Sequence, residues 1–386
     1  MQFAHRMNIP PSATVAVNNL ALKKKAAGER VFNLSAGEPF VPTHSAVLDA
    51  ARCALDEDKT NYTPVAGIPE LRQAAVQFMN RTYGTAYTFD QTVITCGGKF
   101  GLFALFQVLL NPGDEVLIPA PYWVSYPSMV QLAGGCPVII DTEESIGWKI
   151  TPEYISSHCT EQTKLLVLNN AANPTGVLYT KEELQALLAA AKSRGLFVVS
   201  DEVYSGLVYD GKEYMSCGAF AEFHDMVIVV QSVSKHFAMT GWRAGIVFGP
   251  EEIMKKIITL QGQSTTGTSS ITQWASVAAF DHAEEICSFI RDTMQHRRDV
   301  FFDALFDVFG VRFEKPVSAL YGFFPMSHFG VHNMDSVTFC TDVLDTVNVA
   351  MVPGSAFGKE GYVRCSFGLV ESELHDAVAA LHTYFA

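Results

Sequence analysis

The stretch SVSKHFAMTGWRAG, residues 232–245, decides how the rest of the chain is read. It follows the apolar, β-branched run Met226 to Val230, whose pattern predicts a buried strand. In open α/β sheets ligands sit beyond the carboxyl ends of the strands, so a strand ending here delivers Lys235 to such a crevice. Ser232 and Ser234 precede the lysine, and Arg243 follows it eight positions later. Two hydroxyls and a guanidinium suit a phosphate dianion, and an amine in a largely desolvated site loses basicity and can condense with an aldehyde. Those are the needs of pyridoxal 5′-phosphate. A lysine after a strand is more often a solvated charge, so the reading has to be carried by the rest of the chain.

Outward from this segment, short apolar runs alternate with helical stretches: TVITC (92–96), EVLIP (115–119), PVIID (137–141), KLLVLN (164–169), LFVVSD (196–201), MVIVV (226–230) and GIVFG (245–249). Seven strands with intervening helices predict an α/β fold with a mostly parallel seven-stranded sheet. Residues 12–27 have a serine or threonine cap and apolar residues at near-helical spacing, which predicts a first helix. A helix of about fifteen residues should follow the proline-glycine loop in NYTPVAGIPELRQAAVQFMNRTYG (61–84), and a single long one should run from about 271 to 307.

At 386 residues the chain exceeds the usual single-core limit, so two domains are expected. A hydrophobic fraction of 48% against 17% charged residues excludes a disordered chain. The net charge of −13 argues against nucleic acid or an anionic membrane as partner, so anionic substrates must be caught by local cations. Eight cysteines are scattered without a CxxC pair, and the opening MQFAHRMNIPPS lacks an export pattern. No apolar run approaches the ~20 residues that a membrane span needs. These features predict a cytoplasmic protein with free thiols. His328 and His332 are four apart but sit in no HExxH frame, and no metal site is expected.

The segments LSAGEP (34–39), Y-x-P-x-x-G from Tyr62, NPTG (173–176), D-x-x-Y from Asp201, AMTGWR (238–243) and VRCSFG (363–368) together make a specific pattern. With them the chain resembles, over nearly its whole length, the class I aminotransferases, which are fold type I pyridoxal-phosphate enzymes. The resemblance implies a large cofactor-binding domain, residues 41–285, and a smaller α+β domain built from 1–40 together with 286–386. It also implies a homodimer with shared active sites.

Site residues follow from the same segments, each beside a plainer alternative. Lys235 would carry the cofactor and move the substrate's proton. Asp201 can be a helix cap, but a carboxylate ending an apolar strand needs a cationic partner, and the resemblance assigns it the protonated ring nitrogen. Tyr204 and Asn173 would hold the ring oxygen. Trp123, in the aromatic segment APYWVSYP, is either core packing or the ring's stacking partner. Gly98 and Lys99 open a helix whose N-terminus suits the phosphate, alongside Ser232, Ser234 and Arg243. Tyr62 is ordinary loop packing by default; the resemblance sends it across the dimer to the neighbour's phosphate. Gly37 and Arg364 would meet the substrate's α-carboxylate, the latter by two parallel hydrogen bonds rather than an exposed salt bridge.

The implied reaction moves the amino group of an amino acid to a 2-oxo acid. No arginine lies between Arg243 and Arg291, where one branch of the family binds the distal carboxylate, whereas Lys99 resembles the lysine of the other bacterial aspartate aminotransferase branch. Aspartate with 2-oxoglutarate is therefore expected; aromatic, alanine or prephenate specificity, or a β-lyase, is the alternative. Pro10 or Pro11 stands where relatives accepting prephenate carry a lysine. A non-catalytic regulator of the same fold would need a DNA-binding segment, for which this acidic chain leaves no room.

Overall fold

The computed structural model describes residues 3–385. In chain order the strands are β1 (Phe32–Asn33), β2 (Thr92–Thr95), β3 (Glu115–Ala120), β4 (Cys136–Asp141), β5 (Thr163–Asn169), β6 (Phe197–Asp201), β7 (Val227–Ser232), β8 (Gly245–Phe248), β9 (Tyr321–Pro325), β10 (Val349–Ala350), β11 (Val352–Pro353) and β12 (Tyr362–Ser366). Strands β2 to β8 form one seven-stranded sheet in the order β2-β8-β7-β6-β5-β3-β4. Only β8 runs against its neighbours, so the fold is α/β with a mostly parallel sheet, as the alternation of apolar runs predicted.

The inner strands are largely apolar because both faces of the sheet are covered there, while the edge strand β4 leaves Cys136, Ile139 and Asp141 exposed. Successive side chains point to opposite faces, so Leu165 and Val167 enter one core and Leu166 and Leu168 the other. The helix Gly98–Leu109 packs on β7 and β8, which fixes the turn before it against the end of the lysine strand.

A second, antiparallel sheet in the order β11-β12-β9 lies outside the central one, and β1 pairs in parallel with β10. Arg364 stands in β12 opposite Phe323 of β9. The first helix is Ala13–Ala26, and Pro69–Tyr83 is the fifteen-residue helix expected after the proline-glycine loop. The single long helix expected over 271–307 is instead two, Ser270–Asp281 and Ala283–Phe309. His282 breaks the run with φ −102° and ψ 20°, and Glu284 and Glu285 then occupy the next helix's first turn, where carboxylates are favoured by the helix dipole.

Candidate active site

The carboxyl ends of β2, β3, β5, β6 and β7 converge on a cavity of about 460 Å³, closed from the other side by the LSAGEP segment, β12 and the first helix. Lys235, three residues beyond the end of β7, lies in its wall and donates to the main-chain oxygen of Gly37. Burial holds the Lys235 amine below the ordinary lysine range. Tyr321 and Glu38 oppose that shift, while Arg364 and Arg243 add to it.

Asp201 ends β6 on the cavity floor and is buried. Its Oδ2 accepts from the Tyr126 hydroxyl at 2.6 Å and its Oδ1 from the Val203 amide at 3.4 Å. Among the described residues no cation forms an ion pair with it. Burial therefore pushes its carboxyl up to about 6, although Tyr126, the Val203 amide and the charge of Lys235 each pull it down. A buried carboxylate of this kind has the capacity to pair with a cation from outside the chain.

At one end of the cavity is a cradle for an anion. Gly97 adopts φ +84° before the helix Gly98–Leu109, and a Cβ there would lie 2.4 Å from Nη2 of Arg243, so only glycine lets the guanidinium lie against the turn. First-turn amides of a helix have no intrahelical acceptor, and here Gly98 and Lys99 line the cavity. The Ser232 hydroxyl donates to the Ala244 carbonyl at 3.0 Å and lies 2.9 Å from Ser234 Oγ, which fixes both hydroxyls beside the helix start. Arg243 itself has φ +58°, a left-handed conformation that costs a non-glycine residue about 1 kcal/mol. Thr268 holds that conformation by donating to the Arg243 carbonyl at 2.8 Å. Strain retained at a cavity wall is a functional signature.

At the other end Arg364 is buried, with Nη1 donating to Asn173 Oδ1 at 3.0 Å and Nη2 to the Ser35 carbonyl at 2.8 Å. Its Nε is buried without a partner, so the guanidinium has donor capacity to spare for a carboxylate. Asn173 is set by its own amide, which donates to Asn169 Oδ1 at 2.7 Å, and Asn169 in turn donates to the Asp201 carbonyl at 2.9 Å. Trp123 and Lys99 form the remaining wall, the ammonium 5.0 Å from the indole centroid. Burial lowers the Lys99 amine, and Arg243 lowers it further.

Of the residues singled out in the sequence, all but one thus meet in this cavity. The exception is Tyr62, 94% exposed in the loop before the helix Pro69–Tyr83. The sequence reading missed two tyrosines. Tyr126 lies at the end of the aromatic segment already singled out for Trp123, and Tyr321 begins β9 just before GFFPM. The Tyr321 hydroxyl is 2.8 Å from that of Tyr204. Neither contact has a local signature, since the partners are 75 and 117 residues apart.

Over nearly its whole length the chain is similar to proteins of known activity. Residues 29–381 match the family described as aminotransferase class I and II. The chain is 38% identical to an aspartate aminotransferase of Geobacillus stearothermophilus, covering 100% of this chain and 99% of the other. It is 41% identical to the aspartate/prephenate aminotransferase of Thermus thermophilus over 95% of this chain and 94% of that one. A solved aspartate aminotransferase from Thermus thermophilus with maleate superposes with a TM-score of 0.94 at 38% identity, covering 99% of both chains. An aspartate aminotransferase structure from Rhizobium meliloti gives 0.93 at 33% identity, covering 100% of this chain and 99% of that one. The chain therefore belongs to the class I and II aminotransferases, with the fold of that family's solved members.

Proposed function

We propose that the chain transfers the amino group of L-aspartate to 2-oxoglutarate, using pyridoxal 5′-phosphate held at Lys235. The observation that carries this reading is the opposition of Lys235 to a buried, cation-less Asp201, with an anion cradle at one end of the cavity and the half-satisfied Arg364 at the other. When bound, the cofactor supplies an aldehyde that takes the amino group and a protonated ring that stores the electron pair freed at the substrate's Cα.

The chain's own residues do the positioning. Gly98, Lys99, Ser232, Ser234 and Arg243 would hold the phosphate, and Asp201 would keep the ring nitrogen protonated. Asn173 and Tyr204 would donate to the ring oxygen, and Trp123 would cover the ring face. Arg364 grips the substrate's α-carboxylate with donors left free by Asn173 and Ser35, beside the main chain of Gly37. The Lys235 amine, kept below its ordinary basicity by burial, would accept the proton from the substrate's Cα and hold it for return. Lys99 meets the distal carboxylate of aspartate, from the wall it shares with Trp123.

The rest of the reading concerns assembly. The exposed Tyr62 reaches the phosphate of a neighbouring subunit, which makes the active form a homodimer. Residues 41–285 form the large domain and 1–40 with 286–386 the small one, a division supported by the pairing of β1 with β10. The eight cysteines, all free, suit the cytoplasm.

Borohydride reduction of the purified, visibly absorbing protein should fix the cofactor to Lys235. Lys235→Ala should abolish that trapping and lower turnover by roughly 10²–10⁴-fold, and a variant with intact turnover overturns the reading. A panel of amino donors against 2-oxoglutarate tests the substrate. Lys99→Ala should cost aspartate roughly 30-fold in kcat/KM and phenylalanine only a few-fold; equal losses would confine Lys99 to the phosphate.

A further inference from the structure

Tyr321 occupies a position that neither the sequence motifs nor the roles above account for. It begins β9, is buried, and lines the cavity. Its hydroxyl lies 2.8 Å from the Tyr204 hydroxyl, and the two rings meet edge to face with centroids 5.9 Å apart. Its ring carries the Arg364 guanidinium at 4.1 Å from the centroid. A Cβ on Gly37 would stand 2.5 Å from the Tyr321 oxygen, so this hydroxyl's place exists only because residue 37 is glycine. One side chain thus touches the group assigned to the cofactor's ring oxygen, the group assigned to the substrate's carboxylate, and the loop that accepts from Lys235.

The direction of the tyrosine pair follows from proton bookkeeping, on the reading proposed above that Tyr204 donates to the ring oxygen. Each phenol has one proton to give. If Tyr204 spends its proton on the ring oxygen, the proton between the two tyrosines must come from Tyr321. We propose that Tyr321 is a positioning residue that donates into Tyr204, strengthening its hold on the ring oxygen, while its ring fixes Arg364 for the α-carboxylate. Donor chains of this kind polarise one another in a buried site, so each link strengthens the next. The charged and titratable groups around the pair are Asp201 with its donor Tyr126, Arg364 and Lys235, and Lys235 is in turn flanked by Glu38 and Arg243. None of these is removed by changing the Tyr321 hydroxyl.

The two parts of the role are separable. In the loaded enzyme the visible band titrates with the proton shared between the Lys235 nitrogen and the ring oxygen. A donor that holds negative charge on that oxygen favours the proton's departure, so losing the donor raises the midpoint. Tyr321→Phe keeps the ring over Arg364 and removes only the hydroxyl. It should raise the midpoint of the band by roughly half to one pH unit and leave KM for aspartate within about twofold. Tyr321→Leu removes the ring as well and should raise KM by roughly tenfold. Because Tyr321 acts through Tyr204, its effect on the midpoint should vanish in a Tyr204→Phe background.

The outcomes separate cleanly. If Tyr204→Phe alone leaves the midpoint unmoved, the assignment of Tyr204 to the ring oxygen fails. If Tyr204→Phe raises the midpoint but Tyr321→Phe does not, or if the two shifts simply add, the relay through Tyr321 is overturned and the wider reading stands. A Tyr321→Phe variant whose KM rises as much as that of Tyr321→Leu overturns the division of labour between hydroxyl and ring.

Discussion

Two arginines of this chain are equally buried, at 2% exposure each, and are treated by the fold in opposite ways. Arg298, in the helix Ala283–Phe309, spends all three guanidinium nitrogens inside the molecule. It makes bidentate bonds to Asp210 at 2.6 and 2.7 Å, bonds to Asp299 at 2.9 and 3.1 Å, and one to the Pro316 carbonyl at 3.0 Å. Arg364 has no carboxylate, only two neutral oxygens, and an Nε without a partner. A buried cation without its anion is costly, and a fold keeps one only where a ligand completes it. The first arginine is finished by folding, and on the proposed reading the second is finished by binding.

The largest expected consequence is at the unfinished one. Arg364→Met removes a charge that folding left uncompensated, so thermal stability should hold or rise, while kcat/KM for aspartate should fall by roughly 10²–10³-fold. A matched pair of measurements, the melting midpoint and kcat/KM on the same preparation, checks this. A variant that melts well below the wild type would erase the distinction between the two sites.

Arg298→Met should behave in the reverse sense. It leaves Asp210 and Asp299 without their cation, though Lys315 still reaches Asp299 at 3.2 Å and both carboxylates are partly exposed. The cost should therefore sit at the low end for a broken buried pair, about 3 kcal/mol in a denaturant titration. KM for aspartate should stay within about twofold in the protein that remains folded. A tenfold rise in KM would mean that the Arg298 cluster also shapes the substrate end.

The same contrast accounts for what the sequence disclosed and what it withheld. The central sheet was legible because its inner strands are covered on both faces and so read as apolar runs, whereas the edge strand β4 kept an apolar run although Ile139 is exposed. Lys235, Asp201, Asn173 and Gly98 were legible because each stands just past the end of such a run, where turn chemistry is local. Arg298 carried no signal, for its partner Asp210 is 88 residues away and its spacing is that of any surface arginine on a helix. Tyr126 and Tyr321 looked like core aromatics until folding brought their hydroxyls to Asp201 and Tyr204. Tyr62, chosen from its motif, has no counterpart within one chain and stands exposed. The break at His282 was hidden because apolar residues continue at helical spacing on both sides of it.

Asp201 extends the comparison to the opposite sign of charge, with the smallest expected effect. Its carboxyl is buried and pushed from an ordinary 3.8 up to about 6, so the folded apoprotein binds the proton more tightly than the unfolded chain does. For a group raised in this way, the stabilising contribution is full below the unfolded value and is lost as pH climbs through the folded one. Glu202, buried beside it and pushed up to about 7, adds a similar slope of its own, so the wild-type curve alone cannot isolate Asp201. Asp201→Asn can, because it leaves Glu202 in place and removes only the first titration. In urea unfolding of the apoprotein, the variant and wild type should match near pH 4. The variant should gain about 2 kcal/mol over the wild type as pH rises from 4 through 6, with a constant gap above that. Loading with pyridoxal phosphate should reverse the order at pH 8, since a ring cation stabilises the carboxylate and has nothing to pair with in the asparagine variant. A gap that ignores pH, or that survives loading, would show that Asp201 is compensated within the chain after all and belongs with Arg298 rather than with Arg364.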